Sequence, residues 1–149
     1  PHEATVKVLI QGMFDLGLLD RDQHGTLDDA IHHRHYFAHY MHRTGHWLGM
    51  DVHDCGSYVE PTEAGEVSER KDPLSGETIK NRPSRILQAG MVLTIEPGIY
   101  VRPAPGVPEP FWNIGIRIED DAIVTATGCE LITRGVPVKA EEIEALMRA

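Results

Sequence analysis

The sequence predicts an α+β fold in which helices at both ends of the chain flank a mainly antiparallel sheet. Three observations predict it: an amphipathic helical pattern opens the chain, another helical segment closes it, and short apolar runs lie between turn residues from residue 86 to residue 133. Helices that flank a run of strands, instead of alternating with them, are typical of this class.

The first two helices have recognisable beginnings and ends. The first is expected from residue 3 to residue 16, with apolar residues recurring on one face, and Gly17 is a natural stop. Thr26, with Asp29 three positions later, predicts a variant capping box that begins a second helix. That helix is expected to continue to about Met41.

Strands are expected where short apolar runs are bounded by turn residues. The first run ends in Glu96 and is followed by a predicted turn at Pro97 and Gly98. The prolines between residues 103 and 110 exclude a central strand there. Further along the chain we expect strands over residues 113–120, 122–125 and 130–133, and a terminal helix over residues 141–148.

Composition restricts the domain organisation, the partners and the compartment. All 149 residues are expected to form one domain, within which residues 61–85 are polar and predict an exposed loop. The net charge of −9 argues against a nucleic-acid partner, and no apolar run approaches the ~20 residues of a membrane span. The chain shows no signal-peptide pattern, and Cys55 and Cys129 are too few for a disulfide framework, so a reducing, cytoplasmic compartment is expected.

Two carboxylates and one imidazole stand out as candidate metal ligands. Glu96 and Glu119 each end an apolar, strand-like run, where an ionised carboxylate is costly unless a cation or hydrogen bonds compensate it. His46 precedes an apolar segment that could shield and orient a ligating imidazole. The alternative is a surface strand on which Arg117 and Glu119 share one face in a salt bridge. The parallel setting of Glu96 favours a divalent metal site.

The remaining histidines allow several interpretations. The cluster between residues 32 and 39 lies on a predicted helix, which favours surface or capping roles. His53 lies beside Asp51 and Asp54 and is either a donor close to the metal or substrate, or a satisfied core histidine. No glycine-rich phosphate loop, nucleophile elbow or zinc-spaced cysteine pair is present.

Taken together, these motifs resemble those of the pita-bread metallopeptidases and, among them, the Xaa-Pro aminopeptidases. The resemblance covers essentially the whole chain and is carried by residues 40–42, 45–54, 84–87, 90–100 and 115–120. It implies the C-terminal half of a pita-bread fold, with helices packed on a curved, mainly antiparallel sheet. It also implies a metal-dependent hydrolase that cleaves the N-terminal Xaa-Pro bond by means of a hydroxide held between two divalent ions, usually manganese.

The same resemblance assigns roles to individual residues. His46 and Glu96 match ligands of one ion, Glu119 matches the carboxylate that bridges two ions, and Glu96 also matches the glutamate that carries the proton from the water. His53 matches the histidine that hydrogen-bonds the substrate near the scissile bond. Residues around the proline-side pocket are matched by His42, Tyr100 and Arg117. The implied partners are peptides with proline at the second position, and a homo-oligomer is expected.

The chain departs from the family pattern in one respect. The family also uses two aspartates ahead of the first helix, and nothing before Glu3 supplies them. The chain is therefore expected to carry only part of the site, to bind at most one ion and to be inactive alone. The rival interpretations are an Xaa-Pro dipeptidase and a metal-free pita-bread module that binds peptides or proteins. Trp47 and the proline-rich segment before residues 111–113 favour the aminopeptidase, and retention of all three candidate ligands speaks against the module.

Overall fold

The computed structural model describes residues 1–60, 68–72 and 75–148, and it builds helices and short antiparallel strands in the predicted order. The helices are α1 (His2–Asp15), α2 (Arg21–His24), α3 (Leu27–His32) and α4 (Ala140–Met147), with 3₁₀ helices at His35–Ala38 and Glu109–Phe111. The strands are β1 (Leu48–Gly49), β2 (Val52–His53), β3 (Ser68–Lys71), β4 (Thr78–Asn81), β5 (Val92–Ile95), β6 (Gly98–Tyr100), β7 (Gly115–Arg117), β8 (Asp120–Val124) and β9 (Cys129–Leu131). Within the described ranges, no helix is long and apolar enough to cross a membrane.

The core lies where α1 packs against the segment from α3 to Tyr40. The apolar face of α1 buries Val6, Ile10 and Met13, as its periodicity predicts. The capping box that begins α3 is confirmed: the Asp29 backbone N–H donates to the Thr26 hydroxyl at 3.2 Å, and the Asp29 carboxylate accepts from the Thr26 backbone N–H at 2.9 Å. The apolar face of α1 and the beginning of α3 therefore form as their local sequence signals predict.

The second helix is shorter than predicted, because it ends at His32 and not near Met41. Arg34 adopts a left-handed conformation with φ 56°, and a 3₁₀ helix follows. In a continuous helix of 3.6 residues per turn, Tyr36 and Tyr40 would point away from the face that Leu27 begins. The break at Arg34 turns both tyrosines towards the core, where Tyr40 is fully buried.

The described strands form small antiparallel sheets, of which the largest has the order β5-β8-β9. The strand predicted over residues 113–120 is in fact two strands, β7 and the start of β8, which belong to different sheets. The matching break on the opposite strand falls at Pro97, which has no N–H to continue a ladder. The predicted turn at Pro97 and Gly98 is therefore wrong: the chain continues from β5 into β6, which begins at Gly98.

This paired break places the two candidate carboxylates. Pairing of β5 with β8 stops at Ile95 opposite Asp120, and pairing of β6 with β7 begins beyond it. Glu96 directly follows Ile95, and Glu119 directly precedes Asp120. The register therefore sets the two glutamates beside each other at the junction of two sheets.

Residues 61–85 contain regular structure where a loop was predicted. Strands β3 and β4 pair as a hairpin, and the residues of β3 are all exposed. Asp72, at the end of β3, forms a 3.0 Å ion pair with Arg34, which joins the hairpin to the break after α3. Residues 61–67 and 73–74 lie outside the described part of the chain, so the loop prediction is not tested there.

Candidate metal centre

The position of His46 is set by the segment that lies alongside β5. The Thr94 backbone N–H donates to the His46 carbonyl at 2.8 Å, and the Glu96 N–H donates to the Thr44 carbonyl at 2.6 Å. Between these contacts, a side chain on Gly45 would overlap the Thr94 carbonyl oxygen, so only glycine permits this approach. Close backbone packing thus brings His46 next to Glu96.

The structure brings the three predicted ligands together. One ligand atom each from His46, Glu96 and Glu119 lies within 4.8 Å of the others. His46 Nε2 is 3.2 Å from a Glu96 carboxylate oxygen. His46 and Glu96 are each about 9 % exposed, whereas Glu119 is exposed. One imidazole nitrogen with carboxylate oxygens suits a divalent ion of hard to borderline character.

The hydrogen bonding of His46 fits a ligating role. Its Nδ1 lies 2.9 Å from the Trp47 carbonyl oxygen, which can only accept, so the ring carries its proton on Nδ1. Nε2 then presents a lone pair towards Glu96. A backbone carbonyl that fixes the tautomer in this way is typical of metal-binding histidines.

Both oxygens of the Glu96 carboxylate are engaged. Oε1 accepts from the Thr94 hydroxyl at 2.9 Å, and Oε2 accepts from Arg117 Nη1 at 2.9 Å. The hydrogen bond to the Tyr100 hydroxyl raises the pKa of Arg117 most, and the charges of Glu96 and Glu119 add smaller increments. A permanently charged guanidinium therefore compensates the burial of Glu96.

Arg117 also connects the residues predicted for the proline-side pocket. Its Nε donates to the Tyr100 hydroxyl at 2.8 Å, and its Nη2 lies 3.2 Å from His42 Nε2. Because arginine only donates, His42 Nε2 accepts, which assigns the His42 proton to Nδ1, 2.7 Å from the Arg43 carbonyl. The Tyr100 hydroxyl lies 3.1 Å from the same His42 nitrogen. These three residues form one connected polar group beside Glu96.

His53 lies against His46. It belongs to the β1–β2 hairpin, where it pairs with Leu48, and its ring centroid is 4.0 Å from that of His46. His53 is exposed in the described part of the chain. The preceding residue, Val52, has φ 72°, a costly conformation for a β-branched residue, which the hairpin maintains beside the site.

A second hydroxyl lies behind the site. Thr44 is buried, and its Oγ1 lies 2.8 Å from the Tyr40 hydroxyl and 2.9 Å from His2 Nδ1. Burial raises the pKa of Tyr40 and lowers the pKa of His2, with the charge of Arg43 adding to the latter. Thr44 therefore joins the helical core to the segment that carries His46.

Two features of the site were missed from the sequence. The contacts of the Thr94 hydroxyl with both His46 and Glu96 were not predicted, although residues two apart on a strand, as Thr94 and Glu96 are, share a face. Histidines 32, 33 and 35 lie outside the buried core, as expected of that cluster. His39 is the exception, because it is only 5 % exposed and therefore has no surface role. No sequence signal identifies this exception, because the break at Arg34 creates it.

Comparison with known proteins identifies the family to which the chain is similar. The metallopeptidase family M24 matches residues 3–126. The chain is 42 % identical over 145 residues to an Xaa-Pro aminopeptidase of Escherichia coli, covering 97 % of the chain and 27 % of that relative. It is 38 % identical over 164 residues to an Xaa-Pro dipeptidase of Rattus norvegicus, covering 98 % of the chain and 30 % of that relative.

Comparison with solved structures identifies the fold. The aminopeptidase PepP of Pseudomonas aeruginosa superimposes with a TM-score of 0.75 at 46 % identity, over 99 % of this chain and 28 % of that one. The α+β fold and the family resemblance are thereby confirmed. The chain spans between a quarter and a third of the length of these relatives.

Proposed function

Because the chain belongs to the metallopeptidase family M24, we propose that the full-length protein hydrolyses the bond between an N-terminal residue and a following proline. The observation that carries the proposal is the convergence of His46, Glu96 and Glu119 ligand atoms within 4.8 Å. The similarity to a named Xaa-Pro aminopeptidase supports the substrate class.

The three converging residues are assigned different roles in metal binding. We assign His46 and Glu96 to one ion and Glu119 to the position between that ion and a second. Two divalent ions, which we propose to be manganese, would supply an activated water and stabilise the charge that develops on the scissile carbonyl oxygen. The residues fit this role because the His46 tautomer leaves Nε2 free and both carboxylates lie beside it.

Glu96 is also assigned a proton-transfer role. A carboxylate that moves a proton must be held in a fixed orientation within hydrogen-bond reach of it. Thr94 and Arg117 each hold one oxygen of Glu96, at 2.9 Å in both cases. These contacts support Glu96 as the group that accepts the proton of the attacking water and passes it to the leaving amine.

The exposed residues beside the ligands are assigned to the substrate. We propose that His53, in ring contact with His46, donates a hydrogen bond to the substrate carbonyl region. We assign His42, Tyr100 and Arg117 to the pocket for the proline residue. Their mutual hydrogen bonds support this assignment, because a connected group presents one fixed polar surface.

Two broader expectations belong to the same proposal. We propose a cytoplasmic location, which the exposed, unpaired thiols of Cys55 and Cys129 support, since such thiols persist in reducing compartments. We also propose a homo-oligomer, on the family resemblance alone. Sedimentation of the full-length protein would test the second point.

An Xaa-Pro dipeptidase is the second candidate, favoured by the similarity to the rat enzyme. The test is an assay of the full-length protein with Mn²⁺ on three substrates: an Xaa-Pro dipeptide, the tripeptide Xaa-Pro-Leu and the control Xaa-Ala-Leu. We expect the Xaa-Pro tripeptide to be cleaved faster than the other two by about tenfold or more. Cleavage of the dipeptide alone would assign the protein to the dipeptidases, and cleavage of none would overturn the peptidase proposal.

A further inference from the structure

We propose that the Thr94 hydroxyl is a positioning group that holds His46 and Glu96 in the correct relation to bind the same ion. Thr94 is not a ligand, since it acts through the two residues that it touches. This inference rests on the proposed metal centre. It attributes part of the metal affinity of that centre to the Thr94 hydroxyl.

The direction of the hydrogen bonds at Thr94 is fixed. Its Oγ1 lies 3.0 Å from the His46 backbone N–H, which can only donate. The single hydroxyl proton is therefore free to be donated to Glu96 Oε1, 2.9 Å away. Oε1 is also the oxygen that lies 3.2 Å from His46 Nε2. One hydroxyl thus connects the backbone of His46 to the oxygen that faces the His46 ring.

This arrangement departs from an ordinary antiparallel ladder. Directly opposed residues at the hydrogen-bonded positions of such a ladder exchange two backbone hydrogen bonds. His46 and Thr94 share one backbone bond, from the Thr94 N–H to the His46 carbonyl at 2.8 Å, and the His46 N–H goes to the Thr94 side chain. The hydroxyl takes the place of a backbone acceptor, so its loss would leave the His46 backbone N–H and Glu96 Oε1 without these hydrogen bonds.

Burial and side-chain shape make this contact rigid. Thr94 is 2 % exposed and lies on β5, so water does not compete for its hydroxyl. A β-branched side chain has few χ1 rotamers, which limits the directions that the hydroxyl can take. Groups that orient metal ligands in this way commonly affect metal affinity by about 10- to 100-fold.

A second buried threonine provides a matched control. Thr44 is 3 % exposed and also uses its hydroxyl, but on Tyr40 and His2 and not on a candidate ligand side chain. Its contact with Glu96 is made by its backbone carbonyl, which a side-chain substitution leaves in place. Thr44→Val therefore removes a buried hydroxyl from the same region without removing the proposed link.

The experiment compares Thr94→Val, Thr94→Ser and Thr44→Val with the wild type in the full-length protein. Calorimetric titration gives the dissociation constant for Mn²⁺ in the absence of peptide, and urea unfolding gives the stability of the metal-free proteins. We expect Thr94→Val to raise the dissociation constant by about tenfold or more. Thr94→Ser, which keeps the hydroxyl, should stay within about threefold of wild type, and so should Thr44→Val even where it lowers stability as much.

The outcomes separate this inference from the proposed function. Wild-type affinity in Thr94→Val, or equal weakening in Thr44→Val, would overturn the role of Thr94 and leave the metal centre intact. If Thr94→Val does not fold, Thr94→Ala removes the same hydroxyl, and the same expectation applies to it. Absence of Mn²⁺ binding by the wild type would overturn the proposed centre and, with it, this inference.

Discussion

The candidate metal centre has a buried side and an exposed side, and the two are built differently. On the buried side, His46 and Glu96 are each about 9 % exposed, and both Glu96 oxygens accept hydrogen bonds. On the exposed side, Glu119 follows β7, whose residues are all exposed. Within the described part of the chain, no hydrogen bond to the Glu119 carboxylate is formed.

The difference separates two ways of placing a ligand. Burying an ionised carboxylate is costly unless hydrogen bonds and opposite charge compensate it, and Thr94 and Arg117 do so for Glu96. Glu119 is exposed in this chain, and strand register is what places it. Changes on the buried side should therefore affect stability together with function, and changes on the exposed side should affect function alone.

The largest expected effect is that of Glu119→Gln on the exposed side. In the full-length protein this change should abolish peptidase activity and weaken Mn²⁺ binding, because a shared negative ligand is lost. The free energy of unfolding should stay within about 0.5 kcal/mol of wild type, since residue 119 is exposed. Glu130→Gln, at an exposed position on β9, is the control and should change neither property. Activity within tenfold of wild type, with metal content unchanged, would remove Glu119 from the centre.

His53→Ala is expected to act on turnover without releasing metal. Loss of one hydrogen-bond donor to the reacting region typically costs ~10²–10³ in rate. Steady-state kinetics and metal analysis of the full-length variant measure both quantities, with His33→Ala, a change at an exposed histidine of another cluster, as control. Stoichiometric loss of metal in His53→Ala would make His53 a ligand and the present assignment wrong.

Gly45→Ala tests the buried side through its packing. The added methyl group would overlap the Thr94 carbonyl oxygen, so the segment around Gly45 must move away from β5, at a cost of about 3 kcal/mol. Metal binding should weaken in the same variant, because His46 moves with that segment. Gly12→Ala, in the interior of α1 with open space around it, should instead stabilise by about 0.5–1 kcal/mol. Wild-type stability of Gly45→Ala in urea unfolding would contradict the close approach.

The smallest expected effect lies outside both sides of the site, at the capping box of α3. The hydrogen bond from the Thr26 side chain, followed by that from its backbone, lowers the pKa of Asp29 below its usual 3.8. The ionised form is thus favoured by folding, so its contribution is present above the unfolded pKa and is lost as pH falls through the folded pKa.

The capping-box prediction is tested with Asp29→Asn. The stability difference between wild type and variant should be constant above about pH 5 and shrink on acidification below the usual pKa. Urea unfolding at several pH values measures it, and Mn²⁺ binding at neutral pH should be unchanged. A difference that does not depend on pH would show that the Asp29 charge contributes nothing to the cap.

The sequence was informative where a local signal coincides with the final contact. Glu96 and Glu119 could be selected because each ends an apolar run, and the Thr26 capping box is a purely local motif. Local patterns could not show that residues 113–120 divide between two sheets, since that depends on which strands they pair with. The break in the helix at Arg34 could not be predicted for a similar reason: it is favoured by burial of Tyr40, which is a tertiary contact.

We propose that His46, Glu96 and Glu119 hold the same divalent ion. An anomalous difference map from crystals of the full-length protein with Mn²⁺ bound tests this arrangement directly. We expect a peak at roughly 2.0–2.3 Å from His46 Nε2 and from a carboxylate oxygen of each glutamate. A bound ion that lacks any one of these three residues as a ligand would contradict it.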